Sequence, residues 1–258
     1  MDPTYRDWSK PQGEALVNSA MRWIGERNGK PWIAWTHFYD PHLFWHDTPF
    51  GGDELGRFDA AVRYVDAQLG RIVSYVQSLP DASQTLIVIT ADHGQGLGTH
   101  GEYGHGQNLF QEDIRVPLIV HAPGFPAQRV KTVVENVDIV PTLLNLLGLA
   151  KGLDPAVDGK TLIPLMTQGD AAARGDPGMA IVEGLTDQKQ PKNRRAVIKG
   201  PYKLFVDLDL GTEKLFNVQE DPLEKKDLSS EKPELVKELR TALQTHTALS
   251  VFQLSTSP

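Results

Sequence analysis

Thr85-Leu86-Ile87-Val88-Ile89-Thr90-Ala91-Asp92-His93-Gly94 is the stretch that decides how this chain folds. Residues 85–90 are β-branched or apolar throughout and are bounded by turn residues, which predicts a strand buried on both faces. Such a strand belongs in a sheet covered by helices, and the flanking sequence supplies them. Upstream, Ala61, Val65, Leu69, Ile72 and Val76 recur at helical spacing until Pro80 and Asp81 stop the run. Earlier still, Val17, Ala20, Met21 and Ile24 predict an amphipathic helix over about residues 12–27. Pro31 to His37 reads as a short buried strand that ends in Phe38-Tyr39-Asp40-Pro41-His42.

Downstream, a glycine-rich loop runs from Ala91 to Gly106, and a short segment ends at Arg115. A strand is expected from Val116 to His121, then a helix from Asp138 to Leu147 with Pro141 in its first turn and Gly148 past its end. Strands alternating with helices predict an α/β fold whose mainly parallel sheet is flanked by helices over residues 1–166. Beyond Leu165 the pattern changes. Residues 167–179 read as a connection. Four short β-like pieces follow, at 180–182, 195–198, 202–206 and 214–216, and a charged helix spans about 233–245. Residues 167–258 are therefore expected to form a small C-terminal antiparallel α+β subdomain.

Composition narrows the partners. The net charge of -7 disfavours nucleic acid, whose phosphates need a basic face. It does not exclude a small anionic substrate, because a metal and histidines can reverse the field within one pocket. No window approaches the roughly 18–20 apolar residues of a membrane span, and residues 1–16 lack the basic-then-apolar pattern of a signal peptide. With no cysteine there is no disulfide, thiolate ligand or thiol nucleophile, and the redox compartment stays undetermined.

Six of the eight histidines lie between positions 37 and 105, at or after expected strand ends. Ligands of open α/β sheets bind beyond the carboxyl ends of the strands. At the end of the strand in Thr90-Ala91-Asp92-His93-Gly94 the chain turns, so a carboxylate and an imidazole can converge on one ion. The same residues also read as a plain turn with a surface histidine, and chemistry alone leaves both readings open. Asp40-Pro41-His42 follows its strand similarly and, taken alone, reads as a turn. His100 and His105 lie in a loop able to close over a small anion or to remain a surface excursion.

Taken in order, these segments resemble the sulfatase family of the alkaline-phosphatase superfamily. His37-Phe38-Tyr39-Asp40-Pro41-His42 is similar to its strand-end motif, and Phe58 to Gly70 to the helix after it. Leu86 to Gly101 resembles its strand and metal-binding loop. Leu109 to Glu112, Arg115 to Ile119, Asp138 to Leu143 and Asp158 to Leu162 continue the likeness. Lys203-Leu204, Lys214 to Val218 and Asp221 to Glu224 carry it into the tail, so that it runs from about residue 30 to 230.

The resemblance implies a partial sulfatase-like domain, the C-terminal half of a metal-dependent sulfuric ester hydrolase. It implies Asp92 and His93 as ligands of a divalent metal, calcium in many members. It also implies His42 and His105 as catalytic residues contacting the sulfate or leaving oxygen, His100 as a lesser substrate-binding candidate, and Arg115 as a brace. The expected substrate is a sulfate ester of a small molecule or glycan. Members place two more acidic ligands and a formylglycine, made within Cys/Ser-x-Pro-Ser-Arg, toward the N-terminus, and this sequence contains no such motif. Calcium takes about 6–8 oxygen ligands. The expectation is therefore a chain inactive alone, completed by a missing N-terminal half or self-associating through an exposed sheet edge, its parent extracytoplasmic. A phosphate or phosphonate ester hydrolase and a non-catalytic interaction domain are the alternatives.

Overall fold

The computed structural model describes residues 11–27, 29–43, 52–106, 108–151, 157–184 and 193–256, with the side chains of Leu43 and 247–256 left aside. Most of the stretch tested for a signal peptide, residues 1–10, lies outside the described residues. Contacts divide the chain into two compact units, Met1–Ile87 and Val88–Pro258. The boundary at residue 166 drawn from composition falls inside the second.

Among its described residues the first unit holds three α-helices: α1 (Gly13–Gly25), α2 (Asp40–Leu43) and α3 (Glu54–Gln77). α1 buries Val17 and Ile24, two of the positions its periodicity selected. Asp53 caps α3 by accepting from the Gly56 N–H at 2.8 Å. α1 begins without a side-chain cap of its own. Its orphan N–H groups are met from a distance, since Asp40 Oδ1 accepts from Gln12 N at 2.9 Å and Gly13 N at 3.2 Å.

The strand expected at 31–37 does not form. Residues 31–39 have no regular secondary structure, and Ile33 and Trp35 are 83% and 87% exposed. A strand is defined by its neighbour's hydrogen bonds, which no described residue supplies here. His42 accordingly sits on the short helix α2 rather than at a strand end.

In the second unit, β1 (Ile87–Thr90, beginning at the last residue of the first unit) is hydrogen-bonded to β4 (Leu118–His121). Between them lie β2 (Gly96–Leu97), β3 (Tyr103–Gly104) and α4 (Gln111–Ile114). β2 and β3 pair antiparallel, Gly96 opposite Gly104 and Leu97 opposite Tyr103. The glycine-rich loop is thus a miniature hairpin. α5 (Ile139–Leu146) and α6 (Ile163–Gln168) follow, α6 and a 3-10 turn at Gly169–Ala173 occupying part of the expected connection.

β5 (Met179–Glu183), β6 (Arg194–Lys199), β7 (Tyr202–Asp207) and β8 (Thr212–Asn217) form an antiparallel meander in chain order, and α7 (Pro233–Thr256) closes the chain. Strand side chains alternate between faces. One face of this sheet presents Val197, Leu204, Val206 and Leu215 to Val236, Leu239 and Leu243 of α7. The other presents Ala196, Phe205 and Phe216 to Leu109 and Phe110, the segment that leaves the hairpin.

Candidate active site

The candidate site grows from the end of β1. Asn136, in a 3-10 turn, donates from Nδ2 to the Ala91 carbonyl at 2.9 Å and accepts from Thr90 Oγ1 at 3.2 Å. This ties down the strand end just before Asp92. Asp92 Oδ1 accepts from the His93 N–H at 3.0 Å, and Asp92 Oδ2 lies 3.6 Å from His93 Nε2. The His93 ring nitrogen Nδ1 stands 2.8 Å from the Gly94 carbonyl. A carbonyl oxygen only accepts, so in this contact Nδ1 is the donor and Nε2 lies on the carboxylate side. The two side chains are 65% and 33% exposed, so both are open to a small ligand.

Gly94 is required by close approach. Its N–H donates to the Asp113 carbonyl at 2.7 Å, and a Cβ there would fall 2.1 Å from the Glu112 carbonyl oxygen. The Gln95 N–H donates to Glu112 at 2.8 Å, so the loop is pinned to α4 immediately after His93. The β2–β3 hairpin then returns the chain. His105, one residue past β3, stacks its ring on that of His93 with centroids 3.9 Å apart and planes inclined 17°.

The structure therefore brings Asp92, His93 and His105 together. The His100 ring lies flat on Phe110 instead, with centroids 3.5 Å apart. His42 belongs to the first unit, where it is exposed and stacks on Tyr39 at 4.7 Å. Asp113 lies beneath the site, 3% exposed, with Oδ2 accepting from the Gly106 N–H at 3.2 Å. Its Oδ1 has no hydrogen-bond partner among the described residues. Burial pushes its carboxyl up to about 6, although the Gly106 bond and nearby His93 pull the other way.

Reading the sequence missed the groups behind the site. Arg194 on β6 grips both oxygens of Glu102 at 2.9 and 3.0 Å and Asp207 at 3.0 Å. Burial opposes its charge, but these carboxylates outweigh burial and raise its pKa. Lys203 on β7 donates to the Leu109 carbonyl and pairs with Glu224, whose carboxylate accepts from the Gln111 N–H. A lysine amid the apolar run Tyr202 to Val206 was the available signal.

Asp92 and His93 suit a divalent cation as adjacent oxygen and nitrogen donors. They do not complete its shell. Among the described residues no group of three or more histidine, cysteine, aspartate or glutamate side chains could hold a metal ion. No described helix is long and apolar enough to cross a membrane.

Comparison with known proteins gives the geometry its context. The Sulfatase family model matches residues 2–149, and the model for N-sulphoglucosamine sulphohydrolase, C-terminal, matches residues 98–248. The chain is 30% identical over 169 residues to the steryl-sulfatase of Rattus norvegicus, covering 59% of this chain and 29% of the relative. It is 29% identical over 166 residues to the choline-sulfatase of Rhizobium meliloti, covering 64% of this chain and 31% of the relative. It thus spans about a third of the length of these curated relatives. Among solved structures, the phosphonate monoester hydrolase of Agrobacterium radiobacter superposes with a TM-score of 0.75 at 21% identity. That match covers 95% of this chain and 62% of the other, and shows a shared α/β fold.

Proposed function

Because this chain belongs to the sulfatase family, we propose that it is a portion of a metal-dependent sulfuric ester hydrolase, inactive by itself. The observation that carries the reading is the clustering of Asp92, His93 and His105 at the end of β1. In this reading Asp92 and His93 hold one side of a divalent cation, with calcium the expected ion. When bound, that ion supplies positive charge against the transferred sulfate.

In the same reading His105, stacked on His93, is the group that hydrogen-bonds the sulfate or the departing oxygen, where negative charge develops. His42 is assigned the same kind of contact on the strength of the family motif at Asp40-Pro41-His42. The substrate class is a sulfate ester of a small molecule or a glycan.

The remaining ligands and the nucleophile, a formylglycine in this reading, come from polypeptide outside residues 1–258. The exposed, apolar Ile33 and Trp35 support association with such a segment, since apolar side chains this open gain by burial.

Calcium titration tests the proposal. The His93 ring signals of the wild-type chain should shift with weak, millimolar affinity, and Asp92→Asn or His93→Ala should remove the response. Aryl-sulfate hydrolysis by the chain alone should not exceed buffer. Turnover without a partner would show that the nucleophile has been misplaced, and indifference of His93 to calcium would remove the metal assignment.

A further inference from the structure

The loop bearing His93 and His105 is held at several points, and one of the holding groups, Arg194, comes from the C-terminal sheet. Alternation places Arg194 and Ala196 of β6, and Lys203, Phe205 and Asp207 of β7, on the face opposite α7. The α7 face is closed by aliphatic packing, whereas this face carries two cations and a carboxylate, all buried or nearly so. Arg194 and Asp207 side chains are 11% and 6% exposed, and that of Lys203 is 0%. Stability alone does not call for such groups, because apolar residues of similar volume commonly serve as well.

What the charged groups grip explains their presence. Arg194 holds Glu102 with two parallel bonds, and Glu102 lies in the hairpin turn between His100 and His105. The forked guanidinium fixes direction as well as distance, which a point charge cannot do. Below it, Phe110 stacks on Phe205 at 5.4 Å with planes 4° apart, and Lys203 and Glu224 satisfy the backbone on either side of Phe110.

We propose that Arg194 is a positioning residue: through Glu102 it sets the β2–β3 hairpin so that His105 lies against His93. The C-terminal sheet thereby shapes the candidate site without contributing a group to it. This inference rests on the reading of Asp92, His93 and His105 as one site for its purpose, though its physical content is the ring contact itself.

The test uses the full chain with isotopically labelled histidine, without added metal. In the wild type the stacked rings should give a ring-to-ring nuclear Overhauser contact and ring-current-shifted imidazole protons. Arg194→Met and Glu102→Gln should each abolish that contact and return the shifts toward those of free imidazole. Arg194→Lys should restore it only in part. Methyl signals of Leu204 and Leu239, on the α7 side, should remain in place. Lys199→Ala, which removes an exposed pair with Glu238 on the same strand, should change nothing at the histidines.

Should Arg194→Met fail to fold, Glu102→Gln decides the matter, its side chain being 27% exposed on a loop. An undiminished ring contact in either folded variant would overturn the proposal. The two readings fail separately: loss of the contact in a protein whose wild type ignores calcium removes the metal site and leaves the clamp, whereas calcium binding with contacts unchanged in the variants does the reverse.

Discussion

Lys203 Nζ and the Glu224 carboxylate form an ion pair withdrawn from solvent, the two side chains being 0% and 1% exposed. Burial lowers the lysine pKa, and Glu224 opposes that shift. Each partner also binds backbone on either side of Phe110, so the pair joins the C-terminal sheet to the segment that leaves the histidine hairpin.

Removing one member strands a buried charge. Lys203→Met and Glu224→Gln should therefore each cost about 3–5 kcal/mol, read from urea unfolding followed by circular dichroism. The double replacement Lys203→Met with Glu224→Leu should lose less than the sum of the singles, because no unpaired charge remains. Single losses below about 1 kcal/mol would place the pair with solvent-exposed ones.

Asp40 acts as a cap supplied from outside the helix it serves. Asp40→Ala should cost about 1–2 kcal/mol, the range for losing a capping side chain. Amide exchange should accelerate at residues 13–17, while the β6 and β7 amides keep their protection. Exchange that stays slow at the α1 N-terminus would show that Tyr64, whose hydroxyl accepts from Glu14 N at 2.9 Å, suffices to hold it.

Asp113 should make stability fall as pH rises. Its carboxyl ionises near 4 in the unfolded chain and near 6 in the folded one, so the folded state binds more protons between those values. Below that window the group contributes nothing to pH dependence, and above it the full cost of burying the charge is present. Asp113→Asn should gain on the wild type by about 1–3 kcal/mol between pH 4 and pH 8, measured by denaturant melts at both. A difference that does not grow with pH would mean that the buried carboxylate is stabilised by a group not identified above.

Much of this was legible along the chain. The helical spacing of Val17 and Ile24, the β-branched run before Asp92, and the four short strands after residue 178 each correspond to an element near the expected position. These signals are local: a period of 3.6 or 2 reports which face is buried, whatever buries it. The segment at 31–37 shows where that reasoning stops. Its composition suits a strand, but a strand also needs a neighbour.

The candidate site divides along the same line. Asp92 and His93 were singled out by the family resemblance, since local chemistry left a plain turn equally open. The different partners of His105 and His100, one ring stacked on His93 and the other on Phe110, depend on hairpin register and on Arg194, which grips Glu102 across 92 residues of sequence. By itself the sequence determined the periodic elements and the family likeness that pointed to the aspartate-histidine pair. The tertiary structure alone decided which histidine joins that pair and which charged side chains hold it there, because contacts between residues distant in sequence leave no period to read.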